Sequence, residues 1–177
     1  GGAARGRGIL VFQPDTGVVP DHLELPRGLA RDPRAGNFVE GGTDATDPRR
    51  GGGNPGHGTG RASVVVSPED GEMAGAAPEA TLVPVRCIET VAVFEQSPVA
   101  QAIDHARRKG AHVITMSLGG IPSLALHAAL RRAVAENVIV LAAAGNCVGE
   151  VVWPARYDAA IAVAGVNEAG LPWRGSS

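Results

Sequence analysis

From Thr81 onward the chain alternates short apolar runs with amphipathic segments, and no other feature restricts its fold as strongly. "TLVPVRCIE" reads as a buried strand, and "SPVAQAIDHARRKG" as a helix with Ser97 at the N-cap, Pro98 in the first turn and Gly110 as its stop. "AHVITMSLGG" and "VIVLAAAGN" read as strands ending in small or polar residues. Between them "PSLALHAALRRAVAEN" is a helix capped by Ser123, and "AAIAVAGVN" repeats the strand pattern. Strands that are apolar along their whole length and separated by helices call for a parallel sheet covered on both faces. The expected fold class is α/β, a three-layer αβα sandwich with a central parallel sheet.

The first half is richer in glycine. "GILVFQPDTG" reads as a strand from Ile9 to Phe12 that ends at Asp15 in a polar turn, and Arg27 to Gly56 as a long surface excursion with little regular structure. "RASVVVS" is ambiguous by period alone, because Val64 to Val66 suit a strand. Ligands of open parallel sheets gather at the carboxyl ends of the strands, so "PDTG", "SLGG" and "AAAGN" point Asp15, Ser117 and Asn146 at one crevice. The glycines of "GNPGHGTGRAS" leave three roles open for His57: a loop cap, part of a phosphate cradle, or a base at the mouth of a helix.

Bulk composition narrows the classes. The 177 residues are 44% hydrophobic and 19% charged, which suits one globular domain over residues 1–177. No apolar run approaches the roughly 18 residues of a membrane span, and "GGAARGRG" lacks the hydrophobic stretch of a signal peptide, so any targeting signal is expected outside this chain. A net charge of −2 without a long basic run gives no footprint for nucleic acid or a membrane surface, and neither is an expected partner. Two cysteines, Cys87 and Cys147, are too few for a disulfide framework or a tetrahedral metal site, and both are expected as free thiols.

"DTGV" after a buried strand, then "GHGT", "VITMSLGG" and "VIVLAAAGN" followed by "WPA", in that order, resemble the subtilisin-like serine peptidases from about Ile9 to Ser177. Each motif alone is weak; their order is specific. A serine hydroxyl needs a histidine to take its proton, and a carboxylate to fix the ring's tautomer and stabilise the imidazolium. Asp15 and His57 match the carboxylate and the base, in the Asp-then-His order of this family. The resemblance implies a subtilisin-like fold in which "HGTGRASVVVS" begins a helix despite its valines. A ring in that first turn meets the positive end of the helix dipole, which favours the neutral base. Asn146 matches the oxyanion-hole donor, with Ala144 and Gly145 beside it. Ser117, Leu118, Gly119 and Gly120 match the strand that pairs with substrate, and Val91, Ala92 and Val93 the opposing edge.

The sequence also departs from the family. Pro14 precedes Asp15 where an aliphatic residue is usual, and Ser63 stands where the helix usually carries glycine. "SPEDGEMAG" occupies the place of a calcium loop but offers only Glu69, Asp70 and Glu72, without recognisable ligand spacing; calcium stays open and no cofactor is required. No Gly-Thr-Ser motif follows Asn146, so the expected domain is incomplete, lacking the N-terminal helix and the nucleophile segment. The implied function is peptide-bond hydrolysis by the parent protein, with this chain inactive alone. Peptide or protein is the implied substrate, and a C-terminal partner chain or self-association would cover exposed apolar surface. A secreted or extracytoplasmic setting follows from the resemblance only. Two alternatives remain: an inactive peptidase-like binding module, and a dinucleotide-binding module, for which Gly51, Gly53 and Gly56 satisfy G-x-G-x-x-G without a strand leading into them.

Overall fold

β1 (Leu10–Asp15) runs parallel to both β3 (Thr81–Arg86) and β5 (Val113–Met116), setting Phe12 against Val83 on one side and Ile114 on the other. The computed structural model describes residues 4–49, 53–69, 72–146 and 149–177; Gly51, Asp70 and Cys147 lie outside them. β2 (Gly36–Asn37), β7 (Ile139–Ala143) and β8 (Ile161–Val163) complete a six-stranded sheet ordered β2-β3-β1-β5-β7-β8, in which every pairing is parallel. The α/β architecture expected from the sequence is the one observed. β2 and a 3-10 helix at Leu29–Arg31 are the regular structure that the polar, glycine-rich excursion did not reveal.

Successive side chains of a strand point to opposite faces, and the two faces here are built differently. On one, Phe12, Val83, Val85, Ile114, Met116 and Val140 pack against α2 (Ser97–Arg108) and α3 (Leu124–Ala135) through Val99, Ile103, Leu126 and Leu130. On the other, Val11 and Leu82 pack against Ala62 and Val66 of α1 (His57–Val66), with Val18, Leu25 and Ala30 closing the cluster. α1 packs mainly on β1 and β3. Beyond it Ile139, Ile161 and Val163 are 51, 56 and 52% exposed. Cover on both faces, expected along the whole sheet, is therefore found among the described residues over β1 and β3 but not over β7 and β8.

Local signals explain most element ends. α1 forms despite its β-branched residues because Ala62 and Val66, four apart, bury one stripe against the sheet. Ser123 caps α3, its Oγ accepting from the Leu126 N–H at 3.4 Å. Ser97, expected as an N-cap, is instead the first helical residue of α2: the Glu95 carboxylate accepts from its N–H at 2.8 Å and takes over the capping. β4 (Ala92–Val93) and β6 (Gly119–Gly120) form a separate two-stranded parallel ladder.

Leu130 is fully buried between α3 and the sheet, so Leu130→Ala should cost about 2–5 kcal/mol in urea unfolding of the chain. A cost below about 1 kcal/mol would show that this face is loosely packed.

Candidate active site

Asp15 ends β1 and His57 begins α1, and the structure brings them together: His57 Nδ1 lies 2.8 Å from Asp15 Oδ1. Asp15 is fully buried; its Oδ1 also accepts from the Thr16 N–H at 2.7 Å, while Oδ2 has no hydrogen-bond partner among the described residues. The other ring nitrogen, His57 Nε2, receives a hydrogen bond from Arg61 Nε at 3.3 Å. A guanidinium can only donate, so Nε2 is the acceptor and Nδ1 carries the proton given to Asp15. This is the tautomer a general base needs. Sequence reasoning passed over Arg61, although one helical turn from His57 to a cation was legible.

The close approach of α1 to the end of β1 depends on glycine. A Cβ on Gly58 would overlap the Gly17 carbonyl oxygen, so any side chain there pushes the first turn of α1 away from Asp15. Arg86, at the end of β3 and 2% exposed, donates from Nη1 to the Thr16 carbonyl at 2.7 Å and holds the same turn from the other side. Glu40 accepts from Arg86 Nη2 at 2.8 Å and from its Nε at 3.0 Å, and these bonds pull the Glu40 carboxyl down to about 2. Cys87 is a free, buried thiol whose titration is pushed up by burial and by the charge of Asp15, which makes it inert at neutral pH.

The residues expected to bind substrate fall into two groups. Val91, Ala92, Ser117, Leu118, Gly119, Gly145 and Asn146 line one cavity of about 200 Å³, with Ala143 and Val152. Ala144 is buried and does not line it, while Val93 and Gly120 pair with each other in the β4–β6 ladder. That ladder is direct: Ala92 faces Gly119, and the Gly119 N–H donates to Val91 O at 2.9 Å. The two edges expected on either side of a substrate strand thus hydrogen-bond to one another here. Val152 was not singled out in the sequence because only the fold places it against this cavity. A Cβ on Gly145 would meet its methyl groups at 3.1 and 3.2 Å. Ser117 also lines a neighbouring cavity of about 150 Å³ with Gln13, Arg61, Val64, Val65 and Thr115, which links the Asn146 cavity to the side chain covering His57.

In the segment considered for calcium, Asp70 lies outside the described residues. Glu69 is paired with Arg5 at 3.0 Å, and the Glu24 carboxylate accepts from the Ser67 hydroxyl and, at 3.1 Å, from the Glu72 N–H. Among the described residues no three acidic, His or Cys side chains gather to hold an ion.

The structure thus sets a buried carboxylate against an imidazole at the carboxyl end of a parallel strand in an α/β sheet. The chain belongs to the subtilase family, whose model it matches over residues 6–177. It is 35% identical over 171 residues to thermitase of Thermoactinomyces vulgaris, covering 93% of this chain and 57% of that protein. It is 33% identical over 173 residues to an intracellular serine protease of Paenibacillus polymyxa, covering 92% and 51%. With subtilisin DY of Bacillus licheniformis the identity is 32% over 170 residues, covering 92% and 58%. The chain therefore spans 51–58% of the length of these serine peptidases. Among the described residues no helix is long and apolar enough to cross a membrane.

Two outcomes are expected. Arg61→Ala should speed acylation of His57 by diethyl pyrocarbonate severalfold while the other four of the five histidines keep their rates in peptide mapping; an unchanged rate at His57 would mean Arg61 does not cover Nε2. Glu40 titrates lower folded than its ordinary value of 4.5, so its contribution to stability is complete above about pH 5 and is lost as pH falls towards 2. The difference in unfolding midpoint between the chain and Glu40→Gln should shrink over that interval, and a difference that persists at pH 2 would place the contribution elsewhere.

Proposed function

We propose that this chain supplies the acid–base pair and the oxyanion donor of a serine endopeptidase, with the nucleophilic serine coming from outside these 177 residues. The observation that carries the reading is the 2.8 Å bond from His57 Nδ1 to Asp15 Oδ1, with Nε2 left as the acceptor. In the reaction, the serine hydroxyl adds to the peptide carbonyl as Nε2 takes its proton, and Asp15 stabilises the imidazolium. The Asn146 amide donates to the oxyanion of the tetrahedral intermediate, and the imidazolium returns its proton to the leaving amine. The acyl-enzyme is then hydrolysed by water through the same relay. Arg61 must leave Nε2 for the serine to engage it.

The substrate is a peptide or protein. Its strand would lie between β4 and β6, replacing the bond from Gly119 N–H to Val91 O, and its side chain at the cleavage site would enter the cavity of about 200 Å³ that Val152 helps to line. Such a pocket takes a small apolar side chain. The C-terminal remainder of the parent, whether in the same polypeptide or as a separate chain, would cover the open face at Ile139, Ile161 and Val163. Its absence would favour self-association of the isolated chain. A secreted or extracytoplasmic setting belongs to the same proposal and rests on family resemblance, although one relative bears the name of an intracellular protease. Arg61 on Nε2 favours a second reading, a peptidase-like binding module without catalysis.

A fluorophosphonate probe separates the two, since it labels only an activated serine. Labelling is expected in the full-length parent and in this chain mixed with the parent's C-terminal piece, and not in the chain alone; an unlabelled parent would leave the binding module. In the parent, His57→Ala and Asp15→Asn should each lower kcat by about four orders of magnitude or more with little added loss in the double variant, whereas additive losses would dissolve the relay. Asn146→Ala should lower kcat by about 100- to 1,000-fold at nearly constant KM, the size found for this donor in subtilisin itself. Val152→Gly should shift preference towards larger apolar side chains, and an unchanged preference would show that Val152 does not bound the substrate pocket.

A further inference from the structure

Asp47 lies in the excursion between β2 and α1 and is 5% exposed, a burial that an acidic side chain sustains only with strong partners. Its Oδ1 accepts from the Arg49 N–H at 2.8 Å. Its Oδ2 accepts from Thr16 Oγ1 at 2.9 Å and from the Gly56 N–H at 2.8 Å. Thr16 is the residue after Asp15, and Gly56 the residue before His57, so one oxygen atom ties together the chain neighbours of both members of the acid–base pair. Thr16 Oγ1, having given its only proton to Asp47, accepts in turn from the Gly58 N–H at 3.1 Å, just beyond His57. The main chain reinforces the knot, with the Asp47 N–H donating to Val18 O and the Val18 N–H to Ala45 O, both at 2.9 Å.

We propose that Asp47 is a positioning residue for the His57–Asp15 pair: its carboxylate fixes the separation and alignment of β1's end and α1's first turn through Thr16, Gly56 and Gly58. The carboxylate is suited to this role because it only accepts. A hydroxyl at its place could also donate and would let the Thr16 hydroxyl rotate away from the orientation that receives the Gly58 N–H. An asparagine side chain whose oxygen takes the Oδ2 place keeps the bonds to Thr16 and Gly56 and loses only that to Arg49.

The test uses the ¹⁵N-labelled chain and reads the proton resonance of His57 Nδ1–H, which its bond to Asp15 shifts far downfield of the amides. Asp47→Ala should abolish or broaden this resonance, and Asp47→Asn should restore it. Should Asp47→Ala fail to fold, Thr16→Val keeps the side-chain volume, removes the hydroxyl bridge and should weaken the same resonance. A folded Asp47→Ala or Thr16→Val chain with the resonance unmoved would overturn the proposal and leave Asp47 an anchor of its own loop. In the full-length parent, Asp47→Ala should lower kcat about 10- to 100-fold with KM within about twofold, since a displacement of about 1 Å costs that much. This last arm rests on the peptidase reading. A parent without hydrolytic activity would refute that reading while the resonance still decides the role of Asp47.

Discussion

The bond between Asp15 and His57 joins two elements that share neither a strand pairing nor a helix, and the surrounding structure is arranged to keep it short. A fully buried carboxylate is costly unless hydrogen-bonded, and Asp15 meets that cost with the Thr16 N–H and the imidazole. For the ring to arrive, α1 must begin against the turn after β1, which is why Gly17 and Gly58 carry no side chain: a Cβ on either would run into main-chain atoms of the neighbouring segment, and Gly17 also has φ +96°. Arg86 then clamps Thr16 O from the end of β3. The geometry of the pair is thus distributed over three segments that are far apart in sequence.

The sequence made the parts with periodic or punctuated patterns legible. β3, β5, β7, α2 and α3 follow from apolar runs closed by glycines, prolines and caps; Asp15 stood out as a charge at the end of such a run, and His57 as the one titratable side chain among the glycines of "GNPGHGTG". α1 required the family resemblance, since Val64 to Val66 read locally as strand and only burial of Ala62 and Val66 decides for helix. Asp47 carried no signal in "DATDPRR", a string that reads as a polar loop; its importance comes from which backbone groups converge on it in space. Val152 and the direct β4–β6 pairing were equally hidden, because both are properties of tertiary approach and not of any local pattern.

The two faces of the sheet differ in a way that bears on chemistry. The face under α2 and α3 is a closed core, whereas among the described residues the opposite face is closed around α1 and left open over β7 and β8. At the margin of α1 the cavity of about 150 Å³ opens beside Arg61 and Ser117, and Gln13, which lines it, keeps a buried side-chain oxygen without a partner among the described residues. An unpaired buried acceptor beside unfilled space costs stability twice, in packing and in hydrogen bonding. That same margin is where His57 Nε2 is occupied by Arg61. Under the proposed reading, one incoming segment would fill the cavity, donate to Gln13 and displace Arg61 from the base. Completing the fold and arming the histidine would then be a single event, and the chain would gain stability and catalytic competence from the same contact.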